Sequence, residues 1–133
     1  MQNVSAKITK GIQLGTMLQC ADNTGAKEME LMSVLKYRGV RRRLCRAGIT
    51  DVIICAVKKG KEKMRHQIVH AVIVRQRKEY RRHDGIRIKF SDNAAVLVNP
   101  KTYEPIGTEI RSVIAKEVVE KYSAIGKIAY MIV

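Results

Sequence analysis

Short apolar runs, broken by charge and by turn residues, dominate the chain. Residues 52–57 and 68–74 are rich in Val and Ile and bounded by glycine or charge, a pattern that predicts buried strands rather than helices. Residues 17–21 and 94–98 add two further apolar strands. Ile86, Ile88 and Phe90 alternate with Arg87 and Lys89, which predicts a half-buried strand with its cations on the outer face. Turn signals fall between these runs: Asp22-Asn23-Thr24-Gly25 after residue 21, Lys59-Gly60 after the third strand, His83-Asp84-Gly85 before Ile86, and Asn99-Pro100 after Val98. The spacings are too short for crossover helices, so a meander closing into a barrel is the simplest architecture. Only the end reads as helical. Ile114, Val118 and Tyr122 recur at i, i+4 and i+8, which predicts a helix over 113–122 with Ser112 as its cap and Gly126 as its stop. The expected fold is therefore mainly β. It is a small closed five-stranded antiparallel β-barrel over about residues 13–101, with a short helical C-terminal part over about 102–133, in one domain spanning 1–133.

Composition narrows the class. With 133 residues and 46% apolar side chains, the chain can bury a core, which excludes a disordered basic tail. No apolar run exceeds six residues, the length reached at 52–57, which falls far short of a membrane span, and the N-terminal MQNVSAKITK has no apolar signal core. A soluble, cytoplasmic protein without membrane contact is expected. Cys20, Cys45 and Cys55 form an odd set without C-x-x-C spacing, which argues against disulfides and structural zinc.

Charge changes the picture most. The formal net charge is +14, and residues 36–89 hold 18 basic against four acidic residues, which is the whole of that excess. Three clusters stand out: Lys36, Arg38, Arg41, Arg42, Arg43 and Arg46; Lys58, Lys59, Lys61, Lys63 and Arg65; and Arg75, Arg77, Lys78, Arg81 and Arg82, with Lys89 beyond. Apolar strands separate them, so the clusters sit on strand connections at the barrel ends, where they can converge on one positive face. A polyanion is the implied partner. With no Trp, one Phe and five Tyr, stacking on single-stranded bases is not the main mode, and Tyr37 and Tyr80 suit packing as well as stacking. The basic residues flank strands rather than a recognition helix, which leaves backbone and shape recognition of folded RNA. An anionic-membrane reading lacks its amphipathic helix.

Enzymatic readings find little support. His70 lies in an apolar strand, whereas His66 and His83 sit among cations. The motifs G-x-S-x-G, H-E-x-x-H and G-x-x-x-x-G-K-[ST] are absent. Asp22, Asp51, Asp84 and Asp92 would have to converge to hold the two metals of a nuclease, yet each also fits a turn or a strand start. No catalytic group, metal or cofactor is expected. A free-standing RNA chaperone is the alternative to a stoichiometric ribonucleoprotein component.

Four segments carry a specific resemblance: CADNTGAKE (20–28), AVKKGK (56–61), AVIVRQRKEYRRHDGIRIKFSDNAAVLVNPK (71–101) and GTEIRSVIAKEV (107–118). Together they resemble the universal large-subunit ribosomal protein family conventionally numbered fourteen, and VKKGK and RQRK-x-YRR look like its archaeal or eukaryotic branch. The resemblance implies a five-stranded barrel bound to large-subunit rRNA at the inter-subunit face. It implies bridges to small-subunit rRNA, contacts with neighbouring large-subunit proteins and a docking face for an anti-association initiation factor. Carried onto this chain, Lys58, Lys59, Lys61, Arg75, Arg77, Lys78, Arg81, Arg82 and Lys89 contact rRNA, and Thr108, Arg111 and Lys116 lie near the subunit face.

Overall fold

The fold grows from strands whose inward residues alternate until a second layer covers their outer side as well. A computed structural model describes residues 4–133. In chain order the elements are β1 (Ile12–Gln13), β2 (Met17–Cys20), β3 (Ala26–Val34), β4 (Arg46–Ala47), β5 (Val52–Gly60), β6 (Ile68–Arg75), β7 (Tyr80–Arg81), β8 (Arg87–Ile88), β9 (Ala94–Leu97), β10 (Ile110–Ile114), α1 (Lys116–Lys121), α2 (Ser123–Lys127) and β11 (Ala129–Ile132). Strands β2, β3, β5, β6 and β9 form a closed five-stranded barrel in that order. Its neighbours pair antiparallel except at the closure, where β9 meets β2 in parallel, with Gln19 opposite Ala94 and Cys20 opposite Ala95. That closure removes the exposed sheet edges along which chains aggregate.

Along β3, Met29 and Leu31 point into the core, and a bulge between Leu31 and Ser33 resets the alternation so that Val34 is buried too. Strand β9 and the stretch Ala71 to Arg75 of β6 are buried at every position. Their inner face lines the barrel, and their outer face lies beneath the C-terminal segment. Ala115 donates its N–H to the Val74 carbonyl across that seam, and Ile110, Ile114, Val118 and Ile125 are each no more than 1% exposed. Two-sided burial is why these strands read as unbroken apolar runs.

Two expectations change. The helix predicted over 113–122 begins only at Lys116, because Val113 and Ile114 belong to β10, which pairs in parallel with β11. Ala115 is the N-cap and makes no side-chain capping bond, the Ser112 hydroxyl instead accepts a hydrogen bond from Arg75, and Gly126 lies inside α2 rather than ending a helix. Val and Ile are stiff at χ1 and favour strands, so the i, i+4 spacing of Ile114 and Val118 spans two elements. The strand predicted around Ile86, Ile88 and Phe90 shrinks to β8, which pairs with β7 in a hairpin outside the barrel and leaves Ile86 exposed.

Candidate nucleic-acid interface

In a meander, successive connections alternate between the two ends of the barrel. The end at which β5 starts, here the top, carries the β3–β5 connection with the first cluster and the β6–β9 connection with the third. The end at which β5 finishes, the bottom, carries the β5–β6 connection with the second. The clusters therefore do sit on strand connections, but they do not share one face. Two meet at the top, and the third is removed from them by the length of β5, roughly 25 Å at about 3.3 Å per residue.

At the top, Lys36, Arg38, Arg41, Arg42, Arg43 and Arg46 are all exposed, and none has a carboxylate within salt-bridge distance among the described residues. Arg46 pairs with Gln13 in the β1–β4 ladder, and the Lys78 side chain packs against Gly11, so the first and third clusters adjoin through the N-terminal segment. Arg77, Lys78, Arg81 and Lys89 are exposed beside them. Arg77 is oriented by its Nε–H bond to the Ser91 carbonyl at 2.9 Å. Lys7 and Lys10, absent from the sequence-derived set, also arrive here. The Lys7 backbone forms an isolated antiparallel β-bridge with Arg81, and Lys10 pairs with Asp51 at 3.1 Å. As isolated lysines in a stretch neutral on balance, they gave no signal in the sequence.

Arg75 and Arg82 were expected to contact RNA, and the geometry gives them internal tasks instead. Arg75 forms a fork on Asp92, with Nε to Oδ1 and Nη2 to Oδ2 both at 2.9 Å, while Nη1 donates to Ser112 and to the Val113 carbonyl. It thereby ties β6 to the loop before β9 and to β10. Arg82 donates to Glu117 at 2.7 Å and to the Val133 carbonyl at 2.7 Å, and the Tyr80 hydroxyl donates to the same carboxylate at 2.7 Å. Burial pushes Glu117 upward, but the bonds from Arg82 and Tyr80 outweigh it and hold the carboxyl below its usual value. Burial, with Glu117 beside it, raises Tyr80.

At the bottom, Lys58 pairs with Glu30 at 2.8 Å and Lys59 with Glu28 at 3.0 Å. These exposed pairs contribute little and leave both ammonium groups free to exchange a carboxylate for a phosphate. Lys61, Lys63 and Arg65 are exposed on the connection. The connection is anchored where Gly60 meets the β2–β3 turn: at φ 154, a Cβ there would fall 2.6 Å from the Gly25 carbonyl. Arg111 and Lys27 line a hollow with Lys61, and Thr108 sits against the same turn, exchanging two hydrogen bonds with Asn23. Lys116, at the far end of β10, pairs with Glu120. The three residues placed near the subunit face are thus not one patch. Thr108 and Arg111 belong to the bottom, Lys116 to the top.

The carboxylates weighed for metal chemistry serve turns and pairs. Asp22 accepts from the N–H groups of Thr24 and Leu97, Asp51 accepts from Gly48, Asp84 accepts from Ile86, and Asp92 holds Arg75. Among the described residues no three His, Cys, Asp or Glu cluster to hold a metal. Burial, then the neighbouring Asp22, pushes the Cys20 thiol up to about 12, and burial pushes Cys55 to about 12. Both thiols stay protonated near neutrality and make poor nucleophiles. His70 is half-buried in β6, and His66 and His83 are exposed. No helix among the described residues is long and apolar enough to cross a membrane.

Fold and surface together define a small basic β-barrel protein whose cations are carried on the connections at its two ends. Residues 11–133 match the family described as Ribosomal protein L14p/L23e, and the chain belongs to it. It is similar to the large ribosomal subunit protein uL14 of Methanocella arvoryzae, 50% identical over 133 residues covering 100% of both chains. The proteins of the same name from Halobacterium salinarum and Methanothrix thermoacetophila are 48% and 50% identical, again over 100% of both chains. All three organisms are archaea, within the archaeal or eukaryotic branch that VKKGK and RQRK-x-YRR resemble. Proteins of this family are structural, non-enzymatic components of the large ribosomal subunit.

Proposed function

We propose that the chain, in the cytoplasmic ribosome, binds large-subunit rRNA directly through the cations of both barrel ends. Lys36, Arg38, Arg41, Arg42, Arg43, Arg46, Arg77, Lys78, Arg81 and Lys89 act at the top, and Lys58, Lys59, Lys61, Lys63 and Arg65 at the bottom. The observation that carries this reading is the first cluster: six exposed cations on one connection without a carboxylate partner among the described residues, in a member of a ribosomal protein family. Arg75 and Arg82 act behind that surface by fixing the C-terminal segment. Thr108, Arg111 and Lys116 take part in bridges to small-subunit rRNA, and the exposed C-terminal layer contacts neighbouring large-subunit proteins and an anti-association initiation factor. Phosphate contacts position the protein without reading bases.

The test is the salt dependence of binding to large-subunit rRNA. Replacing Lys58, Lys59 and Lys61 together with Ala is expected to flatten the slope of log K against log salt by about two to three units, since each phosphate contact contributes roughly 0.7–0.9. An unchanged slope would remove that cluster from the interface.

A further inference from the structure

Between the top of the barrel and the C-terminal segment lies a recess of about 260 Å³ walled by Lys10, Lys36, Lys121, Tyr37, Tyr103 and Tyr122. Only Lys36 among them belongs to the contact set above. The three lysines come from three separate parts of the chain, and the one acid in the wall is Asp51, which pairs with Lys10. The recess therefore keeps an excess of positive charge. Lys121 donates to the Thr50 carbonyl at 3.3 Å and lies 5.4 Å from the Tyr122 ring centroid, which leaves ammonium hydrogens to spare. Burial depresses its pKa, a cost that a bound anion would offset.

The rings are held in place. The Tyr37 hydroxyl donates to the Leu44 carbonyl at 3.3 Å, and its ring lies over Gly39, where a Cβ would fall 2.5 Å from Tyr37 Cε1. Tyr103, with φ 58, sets its ring at 55° to that of Tyr122, the centroids 6.1 Å apart. Tyr122 is 5% exposed, and its enclosed hydroxyl is the one buried side-chain polar atom without a hydrogen-bond partner among the described residues.

Fixed aromatic faces and spare ammonium donors, together in one recess, match the parts of a nucleotide. The volume lies just below the roughly 300–1,000 Å³ of larger organic-ligand sites. One base with its phosphate fits that size, and a stacked run does not. We propose that this recess receives a single unstacked RNA nucleotide, its base against Tyr37 and Tyr103 and its phosphate toward Lys36 and Lys121. This rests on the RNA-binding reading above and adds to it one point at which the protein touches a base.

The full chain is titrated at low salt with adenosine 5′-monophosphate and separately with inorganic phosphate, and its backbone amides are followed by NMR. Nucleotide binding at least tenfold tighter than phosphate, with shifts confined to the recess, is the expected result. Tyr37→Ala should weaken it about tenfold through lost stacking. Lys121→Ala should weaken it several-fold through the lost phosphate contact, and Glu62→Gln at the opposite end should leave it unchanged. In parallel, large-subunit RNA carrying 4-thiouridine is crosslinked to the chain, and crosslinks are expected at Tyr37 or Tyr103. Equal affinity for phosphate and nucleotide, undiminished binding in Tyr37→Ala, or preference for an acidic peptide over the nucleotide would each overturn the proposal. A steep salt slope on large-subunit RNA with no crosslink at these tyrosines would defeat this site alone, whereas a flat slope would defeat the RNA-binding reading as well.

Discussion

Glu117 shows how one side chain can fix where a positive surface ends. It is 2% exposed, and it receives hydrogen bonds from Arg82 and Tyr80, so the guanidinium that would otherwise join Arg81 outside is turned inward. Removing one partner of a buried pair leaves the other charge uncompensated, and Glu117→Gln is expected to lower unfolding stability by about 3 kcal/mol. The pH dependence has a definite sign. Because the folded state holds this carboxyl below its ordinary value of 4.5, its contribution is fully present above that pH and is lost as pH falls through the folded value. Urea midpoints for the two proteins should therefore differ most near neutrality and converge in acid. A gap that stays constant down to acid would show that packing, not charge, holds the site. Arg75 presents the same case on β6, where its fork on Asp92 depends on a planar guanidinium. Arg75→Lys keeps the charge but loses the fork, and should lower the thermal midpoint while leaving the salt slope of RNA binding intact.

At the scale of elements, the strands with the plainest signal are those buried on both sides. Residues 71–74 and 94–98 read as continuous apolar runs within β6 and β9 because barrel interior and C-terminal layer cover opposite faces, whereas 52–57 in β5 alternates buried with half-buried positions and Ile68 is exposed. The segment 113–122 misled for a related reason. Ile114 and Val118 are both fully buried and four residues apart, yet they reach the same core from a strand and from a helix, and spacing alone does not distinguish the two routes. The parallel β9–β2 closure had no local signature either, since it joins residues about 75 positions apart. Most of the basic surface was legible as charge clusters, but its division was not: whether an arginine faces solvent or a buried carboxylate depends on partners far along the chain, as Arg82 and Glu117 show. Ile114 tests the role of the C-terminal layer. Ile114→Ala should cost about 2–5 kcal/mol by leaving a cavity between β10 and β6, measured by urea unfolding, with no change in the salt slope for RNA.

Taken as a whole, the molecule carries basic groups at both ends of one closed barrel. The top combines the first cluster with Arg77, Lys78, Arg81 and Lys89, whereas at the bottom Glu28 and Glu30 stand beside Lys59 and Lys58. The field is therefore stronger at the top, and one rigid barrel fixes the distance between the ends. RNA that engages both ends must reach across the length of β5. Contacts so far apart share no partners, so their free energies should add. Replacing Arg41, Arg42 and Arg43 with Ala at the top, and Lys58, Lys59 and Lys61 with Ala at the bottom, should each flatten the salt slope on large-subunit rRNA by about two to three units. The combined variant should then lose about four to five. A combined variant no flatter than the top variant alone would mean that RNA meets only the top. The bottom cations, still paired with Glu28 and Glu30, would then be left for protein neighbours that supply carboxylates in place of phosphates.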